Sequence, residues 1–140
     1  MIQRFQVGKR LSEMAIYNGV AYLAGQVPED DSQDMYGQTK QVLAEIDKWL
    51  AQAGTNKSRI LMAQVFVSNM IEFDEMNRAW DEWVAEGNAP PRAAVEAKLA
   101  NPNWKVEIVR EALLMNILII LSNSFLFKKS FINIMLCFFH

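Results

Sequence analysis

The feature that most limits what this chain can fold into is a change of text at residue 110. Five of the eight phenylalanines lie in residues 110–140, a stretch without Asp, Gly, Pro or Trp, whereas residues 1–109 have the mixed composition of a globular domain. A body of that size builds one hydrophobic core. It carries 11 Lys and Arg against 15 Asp and Glu, and the whole chain has a net charge of −2, so the overall charge does not supply the positive field that non-specific nucleic-acid binding requires. The sole cysteine, Cys137, and the sole histidine, His140, both lie in the last stretch. An intrachain disulfide is therefore impossible, and the body cannot hold a Cys/His zinc site or a Cys–His or Ser–His nucleophile. Its chemistry rests on Arg, Lys, carboxylates, hydroxyls and the backbone. Met1–Arg10 lacks an apolar run of secretory-signal length, and a cytoplasmic location is expected.

Ser12–Asn18 and Val20–Gly25 are strand-like runs joined through Asn18-Gly19, whose tolerance of positive φ predicts a hairpin. After the acidic, turn-rich Pro28–Asp34, the residues Val42, Leu43, Ile46, Trp49, Leu50 and Ala53 recur at helical spacing. They predict a first helix over Met35–Ala53, stopped by Gly54. Ile60–Ser68 is apolar on both faces, as in a strand covered on both sides. Asn69-Met70-Ile71-Glu72 has capping-box spacing and predicts a second helix starting there, burying Phe73, Met76, Trp80, Trp83 and Val84 and ending at Gly87. Strands at Arg92–Lys98 and Trp104–Val109 complete the order β-β-α-β-α-β-β, with room for a further strand at Ile2–Val7. This order predicts an α+β fold, a mixed sheet with two helices on one face. Ala63, Val65, Val67, Ala94 and Val106 are assigned to the other face, which would need cover from identical copies.

Arg92 is the most informative candidate for chemistry. Pro90 and Pro91 stiffen the backbone before it, so a planar fork matched to a carboxylate is presented from a fixed loop edge. The plainer reading is a salt bridge to Glu96 or Glu107. Those two glutamates also invite a reading as paired acid–base carboxylates, but solvent-facing strand carboxylates are commoner. Trp80 and Trp83 read as core rather than as a stacking platform, and Glu29-Asp30-Asp31 as a solvated turn rather than a cation loop. Gly25, at the end of a strand, can bring backbone N–H groups close to a ligand.

Val20-Ala-Tyr-Leu-Ala-Gly-Gln-Val-Pro28, Ala63-Gln-Val-Phe-Val-Ser68, Phe73-Asp-Glu-Met-Asn-Arg-Ala-Trp80, Asn88-Ala-Pro-Pro-Arg-Ala-Ala-Val-Glu96 and Lys105-Val-Glu-Ile108 together resemble the RidA/YjgF family of reactive-intermediate deaminases, nearest its YoaB-like branch. The resemblance implies a chorismate-mutase-like fold, assembled as a homotrimer with ligand clefts between subunits. It also implies hydrolysis of enamines and imines such as 2-aminoacrylate to 2-keto acids and ammonia, without a cofactor or metal. Arg92 matches the family arginine that holds the substrate carboxylate, Ala24 and Gly25 match cleft-lining positions, and Asn88 is similar to the family's loop asparagine. Ala24 stands where deaminating members carry Ser, Ala94 where many carry Cys, Leu11 where a cleft Tyr falls, and Val109 where the deaminase subgroup has a water-positioning Glu. These departures keep a second reading open: a non-catalytic binder of small carboxylic or keto acids. The family labels endoribonuclease and translation inhibitor fit poorly with an acidic body that has no histidine, and no nucleic-acid partner is expected.

From Ala112 to Phe127 the chain is largely apolar, but it is short for a spanning helix and interrupted by two Asn and two Ser. Residues 110–140 read first as translation in an altered frame appended to a 1–109 domain. Membrane attachment follows only if the 112–140 tail is a selected segment.

Overall fold

The computed structural model describes residues 1–115. The additional N-terminal strand is present as β1 (Gln3–Val7), followed by β2 (Ser12–Tyr17) and β3 (Val20–Gln26). Asn18 and Gly19 take φ of 49° and 77°, and the hairpin they close pairs Tyr17 with Val20, as the dipeptide predicts. Helix α1 (Met35–Gln52) starts at Asp34, whose carboxylate accepts from the Gly37 amide at 2.8 Å, and ends just before Gly54, at φ 74°.

Strand β4 (Ile60–Val67) leads to α2 (Phe73–Trp83), β5 (Arg92–Glu96) and β6 (Val106–Leu113). The sheet order is β1-β2-β3-β6-β4-β5; only β4 and β5 run parallel, and α2 is the crossover such a pair requires. The result is α+β, a mixed sheet with two helices, in a chorismate-mutase-like arrangement. β6 lies in the middle of the sheet and runs to Leu113, past the boundary drawn at Val109, because Ala112 continues the alternation of buried residues begun at Val106 and Ile108. The remainder of the predicted tail, residues 116–140, lies outside the described residues. Among the described residues, no helix is long and apolar enough to cross a membrane.

Two expectations are corrected. Ala63, Val65, Val67, Ala94 and Val106 do not line the uncovered face: they pack with Val42, Leu43, Ile46 and Leu50 of α1 and Met76 and Trp80 of α2. Because β4 is apolar on both sides, its alternation fixes two sets of residues but not which set meets the helices. The uncovered face instead carries Tyr22, Met62, Gln64, Phe66, Val95, Glu107 and Val109, the residues of opposite parity. The capping box also divides. Asn69 accepts from the Ile71 amide and caps a 3-10 turn over Met70–Glu72, while Glu72 pairs with Lys105 at 2.9 Å. The helix proper begins at Phe73 and ends at Trp83, where Val84 is already extended (φ −57°, ψ 141°), ahead of the predicted stop at Gly87.

Candidate functional site

Arg92 opens β5, the edge strand, directly after the two prolines, and in register with Ala63 of β4 it projects onto the helix-covered face. There its guanidinium lies 4.9 Å from the centre of the Trp80 ring and 6.0 Å from that of Phe73, and Nη2 donates to Asn77 Oδ1 at 2.8 Å. Nη1 is buried and has no hydrogen-bond partner among the described residues. Burial pushes the Arg92 pKa below the ordinary guanidinium value, and the nearby Asp81 charge partly offsets this. The predicted salt bridge is absent among the described residues: the Glu96 carboxylate accepts instead from the Met70 amide at 2.8 Å, and Glu107 is on the opposite face of the sheet. A stacked, half-buried guanidinium with an unpaired N–H is a poor structural ion pair and a good receptor for a planar anion.

Two residues at this site escaped the sequence reading. Trp80 is core, as predicted, yet its ring is also the platform on which Arg92 stacks. Asn77 is the asparagine that touches Arg92, whereas Asn88 donates to the Glu86 carbonyl at 3.3 Å in the loop before β5 and does not contact it. The signal for Asn77 was available: it is a polar residue between Phe73 and Trp80, on the stripe that faces the sheet.

Ala24 and Gly25 occupy a bulge in β3, where the register with β6 shifts between Leu23 and Gln26. The Glu107 side chain lies directly against Gly25, in the space a β-carbon would take. Between β3 and β5 stand β6 and β4, so three inter-strand steps, about 14 Å, separate this bulge from Arg92. Within one chain the candidate residues therefore fall into two half-sites, Arg92 with Asn77 and Trp80 at one edge and Ala24 and Gly25, beside Glu107, across the sheet.

Fold and site define a class: a small α+β sheet domain that presents a half-buried, underpaired arginine on a rigid edge. The model of the endoribonuclease L-PSP family matches residues 1–114, and the chain belongs to this family, also called RidA/YjgF. It is 70% identical over 109 residues to a RutC family protein of Haemophilus ducreyi, covering 78% of this chain and 93% of that one. It is 45% identical over 107 residues to the RutC family protein YoaB of Escherichia coli, covering 76% and 93% of the two chains. The crystal structure of a YjgF family member from Neisseria meningitidis superposes with a TM-score of 0.81 at 43% identity, over 83% of this chain and 97% of that one.

Proposed function

We propose that this protein hydrolyses small enamines and imines of the 2-aminoacrylate type to 2-keto acids and ammonia, with Arg92 holding the substrate carboxylate. The observation that carries this reading is the Arg92 Nη1 group, buried and unpaired on a guanidinium already immobilised by Asn77 and Trp80. A carboxylate at that fork completes the hydrogen bonding of the arginine and fixes the adjacent imine carbon. Water then adds to that carbon, the carbon–nitrogen bond breaks, and nitrogen leaves as ammonia while the carbonyl forms. Fixed orientation supplies most of the acceleration in such a scheme. The separation of the two half-sites within one chain supports a homotrimer in which the cleft forms between subunits, with Ala24 and Gly25 of one copy facing Arg92 of the next. We assign the trimer to the cytoplasm.

Binding of small carboxylic or keto acids without turnover is the second reading. It is favoured by Ala24, Ala94 and Val109, which place no hydroxyl, thiol or carboxyl where deaminating relatives carry Ser, Cys and Glu. Generating 2-aminoacrylate enzymatically and following pyruvate and ammonia separates the two. A deaminase accelerates their release over buffer, and Arg92→Ala lowers kcat/KM by about 100-fold, the worth of a charge-assisted bidentate contact. Binding of pyruvate without any acceleration establishes the binder, and Arg92→Ala with unchanged activity removes the anchor.

A further inference from the structure

Helices α1 and α2 leave between them a cavity of about 340 Å³ that no strand residue lines. Leu43, Ala44 and Asp47 on α1, and Ala79, Glu82 and Trp83 on α2, reach it because residues three and four apart share a helix face. Ala44 and Ala79 offer only methyl groups there, which is what leaves the room, and Leu43 and Ala79 are buried while Trp83 is half-buried. The space is at the small end of ligand-sized sites. Its charges are unevenly committed. Asp47 accepts from Trp83 Nε1 at 2.9 Å, and Glu82 from the Tyr36 hydroxyl at 2.7 Å. Asp47 is also the charge that offsets burial of Arg110, whose Nε and Nη2 have no partner among the described residues. Lys40 and the half-buried Lys57 also line the cavity, yet neither forms an ion pair among the described residues. The Lys57 ammonium lies 5.4 Å from the centre of the Trp83 ring, and that of Lys40 lies 5.2 Å from the Tyr36 ring. An ammonium held over an aromatic face keeps its N–H donors for an anion.

We propose that this interhelical cavity is a second binding site, separate from Arg92, for small aromatic carboxylates. The ring of such a ligand rests on Leu43 and Ala79 against the Trp83 indole, and its carboxylate takes up the ammoniums of Lys57 and Lys40. Both halves of the ligand are needed. Inorganic phosphate meets the lysines but leaves the apolar floor in water, and a neutral arene covers the floor but leaves the lysines without a counter-charge. A cationic ligand is repelled by the two free ammoniums, because the carboxylates that would receive it already serve Trp83, Arg110 and Tyr36.

2-Naphthoate and its uncharged isostere 2-naphthamide, titrated into the full chain, test the proposal. Binding is read by NMR from the indole N–H resonances of the four tryptophans, with that of Trp83 assigned by its loss in Trp83→Phe. Wild-type protein binds the acid more tightly than the amide by about tenfold or more, the worth of one charge-assisted hydrogen bond, and the Trp83 resonance moves with it. Lys57→Met keeps the stem, removes the ammonium and abolishes that preference. Ala44→Leu fills the cavity from an exposed position with a good helix former, so the protein stays folded while both ligands lose affinity. Equal affinities for acid and amide in the wild type, or a folded Lys57→Met protein that retains the preference, overturns the proposal. Trp83 packs on Trp80, the platform of Arg92, with ring centres 5.4 Å apart, so a carboxylate held at Arg92 would also disturb it. Arg92→Ala separates the two sites: unchanged affinity for 2-naphthoate supports the interhelical cavity, and lost affinity assigns the ligand to Arg92 and overturns it.

Discussion

Arg92 can act as a receptor because Asn77 and Trp80 restrict its guanidinium while leaving one N–H unpaired. Asn77→Ala removes one restraint without touching the charge, so steady-state assays with generated 2-aminoacrylate should show a rise in KM of about tenfold with a smaller change in kcat. Arg92 was legible from Pro90-Pro91 and the family pattern. The helical stripe marked Asn77 as a polar residue facing the sheet but not as a partner of Arg92, because spacing along a helix does not say which strand residue lies beneath it. Arg110 is a second arginine that no pattern marked. It is 2% exposed beneath the helices, Nε and Nη2 have no partner among the described residues, and burial pushes its pKa well below the ordinary guanidinium range, to about 9, against a weaker opposing pull from Asp47. Between about 9 and the ordinary guanidinium range the unfolded chain binds more protons than the folded one, so this group makes stability rise as pH climbs above about 9. Arg110→Met should raise the urea midpoint at pH 7, by about 1–4 kcal/mol in unfolding free energy, and should remove that alkaline rise.

The elements themselves were largely readable. Asn18-Gly19 fixed the β2–β3 hairpin, and the helical stripe from Val42 to Leu50 fixed α1. What escaped were the contacts between elements. Gln38 reads as an ordinary polar helix residue, yet it is fully buried: its amide donates to the carbonyls of Asp31, Gln33 and Asn103, and its carbonyl accepts from the Lys105 amide at 2.8 Å. It locks the loop before α1 to the loop before β6, and through β6 it bears on the placement of Glu107. The acidic run predicted as a solvated turn is tied to the same junction, with Asp31 accepting from the side chains of Asn101 and Asn103. Gln38→Leu preserves volume but strands those backbone groups. It should cost about 2–4 kcal/mol in chemical unfolding and increase hydrogen exchange at Lys105.

At the scale of the whole molecule the proposed site is divided. Arg92 faces the helices at one edge of the sheet, whereas Gly25 lies three strands away and Glu107 two, on the face that no helix covers. That face exposes Tyr22 at 44% and Val95 at 43%, a surface suited to a second copy. If copies bring the two half-sites together, inactive variants of opposite halves must complement. Arg92→Ala chains, which lack the anchor, and Gly25→Leu chains, in which a side chain fills the space at the bulge, should each lose most activity alone; they are unfolded together and refolded as a mixture. Random assembly leaves about a quarter of the clefts with a native Arg92 from one chain and a native Gly25 from the other, and activity returns to a similar fraction of wild type. A site contained in one chain gives no recovery, because every chain in the mixture carries one of the two changes. Complementation in a species whose mass in solution equals three chains therefore tests the assembly and the geometry of the cleft together.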